Sequence, residues 1–356
     1  MLMFINGVNG RSAAGLVTSL RPPPVDDVTS KITKPKLIIQ VDVNGSQKFT
    51  SIQDAIDSVP DGNQDWVVIH VNKGIYREKV RIPKEKGHIF LRGSGRTKTA
   101  IVWSQNCEND YQSSSFKVEA DDFIAFGISF KNEAFTTGIG HNHSVAAYVG
   151  SDKAAFYSCG FYSSHNTLLD HQGRHYYDQC YIQGATDVVF GHARSVFHEC
   201  EIFVIGDKRI EIQGWATGHS RTSNNENTGF VFLKGRIYGI GHAFLGRPGG
   251  DHSLVVFAKT YMSKTVRPEG WTDWNHHGSL ESVSFLPFIY FPFCKYVLLT
   301  LSFYSNVYHA EYNCHGPGSG TEGRARWLKK LTSQEAAPFL STDFIDGKQW
   351  LLVGQS

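Results

Sequence analysis

The chain has 356 residues, of which 41% are hydrophobic, 13% aromatic and 19% charged, with 35 glycines and a formal net charge of +2. That balance is globular and excludes a disordered chain. No Lys/Arg run stands out to suggest nucleic acid as a partner, and the six cysteines form no CxxC pattern of the kind that holds zinc.

Residues 1–35 read as an N-terminal segment and linker. Met1 to Leu20 has no basic start, and Asn6, Asn9 and Arg11 interrupt its apolar stretch, so it reads as a defective or missing signal peptide. Arg21-Pro22-Pro23-Pro24-Val25 is an extended linker. The ordered domain is expected over 36–356. It opens with a strand at Leu37–Val43, followed by a helix in which Ile52, Ala55, Ile56 and Val59 recur at helical spacing and Thr50 or Ser51 supplies the cap. Such a helix suits the open apolar end of a solenoid.

Strands dominate from there. Trp66–Val71, Ile89–Gly93, Phe123–Phe130 and Val145–Val149 are short runs bounded by turn residues. A repeat then appears. Phe156-Tyr-Ser-Cys159-Gly-Phe161, Tyr176-Tyr-Asp-Gln-Cys180-Tyr-Ile182 and Val196-Phe-His-Glu-Cys200-Glu-Ile202 share one pattern. A coil of roughly 20–25 residues fits three short strands stacked as a β-solenoid, with equivalent residues about 4.8 Å apart. Cys159, Cys180 and Cys200 then form an axial ladder. The expected outcome is a disulfide between Cys180 and Cys200, against the alternative of three buried thiols.

Gly229–Tyr238 and Ser253–Met262 continue the strand pairs, and a helical cap starting at Thr332 or Ser333 leads into a last loop. One segment does not fit, an apolar insert at about 283–306 with a single charge, Lys295. Pro287, Pro292 and Lys295 lie inside it, so it is not read as a membrane span. Translated intron sequence is the expectation.

Two segments carry candidate chemistry. Gly184-Ala-Thr-Asp187-Val-Val-Phe190-Gly191 places an Asp among apolar residues, and Phe244-Leu-Gly-Arg247-Pro248-Gly249-Gly250 holds an Arg between Gly and Pro. Alone, each is more often structural. No Gly-x-Ser-x-Gly elbow, phosphate loop or dinucleotide fingerprint occurs.

In this order on a solenoid, the motifs resemble the plant-type pectin methylesterase (pectinesterase) family, without an inhibitor-like pro-region. Gly74-Ile-Tyr76-Arg-Glu78-Lys-Val80, Ala154-Ala-Phe-Tyr-Ser-Cys159, Gln172-Gly-Arg-His-Tyr-Tyr177, Pro268-Glu-Gly-Trp271-Thr-Asp-Trp274 and Glu311-Tyr-Asn-Cys314 also fit, over about residues 36–350. The resemblance implies an all-β fold, a single right-handed parallel β-helix with short capping helices. It implies hydrolysis of galacturonate methyl esters in cell-wall pectin (homogalacturonan), releasing methanol. Asp187 would be the nucleophile that forms an acyl-enzyme, and Arg247 would orient it. Phe190, Trp271 and Trp274 are candidates for sugar stacking.

The sequence departs from the family at the other roles. The acid/base Asp is Asn166, the two oxyanion glutamines are His143 and His165, and the groove Trp after Arg-Pro is Gly249. Asn166 has no titrating proton. His143 and His165 can each donate a hydrogen bond, and His165 can take over proton transfer; divergence at a relaxed site is the plainer reading. The alternative function is therefore an impaired relative that only binds pectin or is nonfunctional. A lyase or polygalacturonase on the same fold ranks last. No metal or cofactor is implied. The expected protein is a secreted cell-wall monomer and glycoprotein, with sequons at Asn44 and Asn142, and a proteinaceous pectinesterase inhibitor is a further candidate partner.

Overall fold

The computed structural model describes residue 32 and residues 35–134, 143–206, 214–273 and 306–352. The chain winds as a right-handed parallel β-helix with three strands to a full coil. Its faces are an 11-stranded, an 8-stranded and a 7-stranded sheet. One coil runs through Arg174–Asp178, Tyr181–Gly184 and Val189–Gly191, and the next through Arg194–His198, Glu201–Val204 and Thr217–His219. Each strand pairs in parallel with its equivalent one coil away. No helix among the described residues is long and apolar enough to cross a membrane.

In-register stacking turns sequence repeats into ladders. Phe156, Tyr177, Phe197, Phe232 and Phe257 follow one another along the core, with ring centroids 4.5 to 5.0 Å apart and planes 5° to 13° from parallel. Burying these rings supplies much of the apolar driving force. The sharp corner between the first two sheets repeats as well. Gly127 takes it with φ of 59°, and Ser158, Gln179, Glu199, Lys234, Lys259 and Asn313 take it in later coils with φ between 48° and 58°. The run expected as one strand at Phe123–Phe130 is accordingly two, Phe123–Phe126 and Ser129–Asn132, hinged at Gly127. Apolar periodicity does not register a left-handed corner whose two arms both face the core.

Cys159, Cys180 and Cys200 form the expected ladder but remain free thiols. The Cys180–Cys200 disulfide is therefore corrected. The Cys180 thiol donates to the Phe156 carbonyl at 3.3 Å, and that of Cys200 to the Tyr177 carbonyl at 3.4 Å. In a parallel register the Cα–Cβ bonds of neighbouring coils point the same way and do not converge as a disulfide needs.

The helix Ile52–Asp57 covers the N-terminal end as expected and buries Ile52, Ala55 and Ile56. Ser51 is its cap, accepting from the Asp54 N–H. Glu78 adds a carboxylate that accepts from Ser51 Oγ and from the Ile52 and Gln53 N–H groups at 2.7, 2.8 and 3.0 Å, a favourable place for negative charge. Thr332 caps Ser333–Ala336 in a capping box with Glu335. The C-terminal segment that follows lies along the outside of the 11-stranded sheet, where Ile345 and Leu351 join Val196, Val231, Val256 and Ala310. Arg194 holds it there by an ion pair of 2.7 Å to Asp346. The apolar insert lies outside the described residues apart from Asn306, yet the sheet is continuous across it: Leu254–Ala258 pairs directly with Tyr308–Tyr312.

A fully buried ion pair sits beneath the 7-stranded sheet. His175 Nδ1 donates to Asp170 Oδ1 and Nε2 to the Ser151 carbonyl, both at 2.6 Å. Tyr177 also donates to Asp170 at 2.6 Å, and Ser195 donates to its other oxygen. Two donating ring nitrogens make His175 an imidazolium. Burial alone would push its pKa down, but Asp170 and the Ser151 carbonyl outweigh that and raise it.

Two predictions follow from this packing. Asp170→Asn strands the buried imidazolium and should lower the unfolding free energy by about 3 kcal/mol or more, as measured by urea titration. A raised folded pKa gives stability that is complete below about pH 6.5 and lost as pH climbs through the folded value, so the Asn variant should also lose that alkaline decline. Secondly, alkylation without reductant should leave Cys159, Cys180 and Cys200 unmodified in the native protein and modify all three after unfolding. Peptide mapping that finds Cys180 linked to Cys200 would contradict the thiol assignment.

Candidate active site

The outward face of the 7-stranded sheet carries the candidate site. Side chains alternate across a strand, so Val189 is buried in the core while its neighbour Phe190 faces outward and is half-buried. The pairing register aligns Arg81, Lys117, Tyr148, Leu169, Phe190, Gly218 and Arg247 along this face. The result is a strip with cations at both ends and Tyr148, Leu169 and Phe190 between them.

Asp187 stands at the edge of that strip, in the corner before the strand Val189–Gly191. Its backbone is left-handed, with φ of 45°, and Asn166 one coil away repeats the conformation with φ of 55°. Asp and Asn tolerate this region better than other side-chain-bearing residues. The two are locked in register by the His165–Thr186 bridge and by the Asn166 N–H donating to the Thr186 carbonyl at 3.1 Å.

Arg247 reaches Asp187 from two coils further along. Its Nε donates to Oδ1 and its terminal nitrogen to Oδ2, each at 2.9 Å. This fork fixes the carboxylate in a plane, which a lysine could not do. The indole of Trp215, whose carbonyl accepts from the Val188 N–H, lies 5.7 Å from the guanidinium. Gly218 leaves room for the pair, because a Cβ there would stand 3.0 Å from Asp187 Oδ1. The Asp187 side chain is 12% exposed, so the carboxylate is mostly shielded from water and still open on one side.

Beside Asn166 lies a second carboxylate that the sequence motifs do not reveal. Asp110 opens the short helix Asp110–Ser113, capped by Asn109. Its Oδ1 lies 2.6 Å from His143 Nδ1 and accepts from Asn166 Nδ2 at 3.4 Å. His143 is tied to this loop by backbone bonds to Cys107 in both directions. The contact with Asp110 raises the His143 pKa; burial opposes it, and the charges of Asp110 and Asp187 add to the rise. His165 is half-buried next to Asn166, with its carbonyl accepting from Ser144 and Ser163.

The structure thus brings Asp187, Arg247, Asn166, His143, His165 and Phe190 to one edge. Two predicted groove residues do not join them. Trp271 is only 2% exposed; it stacks on His309 with centroids 4.4 Å apart and donates to Glu311 at 3.1 Å. It is a core residue with no ring face for a sugar, and this corrects the expectation. Gly249 is exposed and offers no ring, and its N–H donates to the His219 carbonyl at 2.9 Å. Trp274 lies outside the described residues. Asp110, Trp215 and Gly218 are the site residues that sequence reasoning missed.

Comparison with known proteins bears on the fold and the family. The Pectinesterase family model matches residues 38–289. Probable pectinesterase 67 of Arabidopsis thaliana is 50% identical over 99% of this chain and 95% of its own length. The structure of the pectin methylesterase from carrot superposes with a TM-score of 0.77 at 29% identity, covering 90% of this chain and 95% of the carrot chain. A pectin methylesterase in complex with a hexasaccharide shares the fold, with a TM-score of 0.68 at 20% identity over 86% of this chain and 96% of its own. The family model spans well over half of the chain and the relatives match it along nearly their whole length, so the chain belongs to the pectinesterase family.

Proposed function

We propose that this chain hydrolyses the methyl esters of galacturonate units in pectin, with Asp187 as the nucleophile. The observation that carries the reading is the bidentate Asp187–Arg247 pair at the edge of the outward strip. A carboxylate is a weak nucleophile toward esters, so its position has to compensate. Holding reactants in an attacking geometry is worth on the order of 7–11 kcal/mol in favourable cases. Arg247 sets the plane of the carboxylate, and the left-handed corner at residue 187 aims it outward.

Asp187 attacks the ester carbonyl carbon, and the tetrahedral intermediate expels methanol to leave an acyl-enzyme. Water then releases the galacturonate carboxylate and restores Asp187. The hexasaccharide bound by a related enzyme supports an extended chain along the strip, where Phe190 and Tyr148 offer ring surface. Arg81 and Lys117 at the far end suit uronate groups already freed of methyl. The same reading puts the protein outside the cell, acting on wall pectin as a monomer open to a proteinaceous inhibitor.

A second reading has one observation in its favour. Asn166 occupies the acid/base position and cannot titrate, so a protein that grips pectin without turnover would look similar at that residue. Methanol release from methylated pectin separates the two. The purified protein should release methanol, and Asp187→Ala should abolish it. Gly218→Ala should lower kcat by about 10-fold or more, since small displacements of a reacting group cost up to roughly 10²-fold, with little change in thermal stability. Pectin binding without methanol release would establish the second reading.

A further inference from the structure

The esterase reading leaves one step without an agent: something must give a proton to the departing methoxide and take one from the incoming water. Asn166 cannot do either. We infer that His143, oriented by Asp110, is the general acid and base of this chain, in place of the carboxylate that Asn166 replaces. The inference rests on the esterase reading and assigns the proton transfer within it.

Three observations meet at this point. His143 and Asn166 both touch the same oxygen of Asp110, at 2.6 and 3.4 Å, so the imidazole sits immediately beside the vacated position. Asn166 in turn is stacked one coil from Asp187 by the His165–Thr186 bridge, a spacing of about 4.8 Å in parallel sheet. Finally, the His143 ring is 32% exposed while Nδ1 is turned inward to Asp110. In the proposed dyad Nε2 is therefore the nitrogen that meets substrate. A carboxylate on the far nitrogen fixes the ring and stabilises its protonated form, the role such partners play in hydrolytic dyads.

The charges facing His143 are Asp110 from the helix it packs on and Asp187 across the site, with Cys107 on the paired backbone. Both carboxylates favour the imidazolium, so the acid form persists to higher pH than in an isolated histidine. In the first half-reaction the Asp187 oxygen bonds to the carbonyl carbon and the bond from carbon to methoxy oxygen breaks. The Nε2 proton goes to that oxygen and methanol leaves. In the second, neutral His143 takes a proton from water as its oxygen attacks the galacturonoyl carbon. The bond to Asp187 breaks, the product acid forms and gives its proton to solvent, and His143 is again protonated. Asp110 touches no reacting atom and acts as a positioning residue.

The test is methanol release from methylated pectin across pH, with Asp187→Ala as the control for the esterase reading. For the unaltered protein, kcat/KM should fall on the alkaline side with a midpoint above the usual histidine value. His143→Gln should lower kcat by about 10²-fold or more and remove that alkaline limb. Asp110→Asn should retain part of the activity and move the limb to lower pH. His143→Gln combined with Asn166→Asp should regain activity, because a carboxylate returns to the neighbouring position; the recovery also shows that the Gln variant is folded. If His143→Gln keeps activity within about three-fold while Asp187→Ala abolishes it, the esterase stands and the proton carrier is another group. If the unaltered protein releases no methanol but Asn166→Asp does, the dyad does not work and the inference fails on that ground alone. If neither releases methanol, the esterase reading falls and the inference falls with it.

Discussion

Register is the constraint on which the rest of this structure depends. Each coil hydrogen-bonds to the next in parallel, residue for residue, so a side chain's neighbours are set by the equivalent positions one coil before and after. The stack from Phe156 to Phe257, the thiols of Cys159, Cys180 and Cys200, and the left-handed corners from Gly127 to Asn313 are the same rule applied to three positions. The corner at the candidate site is a fourth case. Asn166 and Asp187 adopt the same backbone shape because they are the same position in successive coils, and Arg247 reaches Asp187 from the outward strip two coils further on. A slip of one residue would turn Phe190 inward and dissolve the site.

Two carboxylates illustrate how burial decides a role. Asp170 is fully buried and satisfied by His175, Tyr177 and Ser195; it has no open side and serves the fold. Asp187 has a comparably strong partner in Arg247, but its side chain keeps some exposure. Pairing an ion strongly on one face while leaving the other to substrate is how a fixed protein dipole or charge orients a nucleophile before the reaction begins. Asp110 stands between these cases. Its Oδ1 lies 2.6 Å from His143 Nδ1, which puts a titrating group beside Asn166, a residue that has none.

Much of this was legible in the chain, and the reasons for success and failure are physical. The spacing of Cys159, Cys180 and Cys200 disclosed the coil because a solenoid repeats its contacts along the sequence. Asp187 and Arg247 were legible because their motifs are contiguous and carried by resemblance to a known family. Asp110 was not, since it joins the site through a loop whose only local signal is an N-cap of a four-residue helix. Trp271 was misplaced because composition cannot tell an aromatic that lines a groove from one that closes a core, and only the contacts with His309 and Glu311 decide it. The disulfide expected of Cys180 and Cys200 failed on direction: proximity follows from register, but convergence of the two bonds does not. The helix expected at Thr332 forms, but the path of the segment after it along the outer face of a sheet was not legible, since the apolar contacts and the Arg194–Asp346 pair that hold it are long-range in sequence.

The central claim is that Asp187 becomes covalently acylated during turnover. The most direct measurement is mass spectrometry of the protein mixed with a methyl-esterified oligogalacturonide and acid-quenched before the reaction completes. The account predicts a mass increase equal to the galacturonoyl chain on the peptide that contains Asp187. Methanol release with no adduct on that peptide at any quench time, or an adduct carried by a different residue, would contradict it.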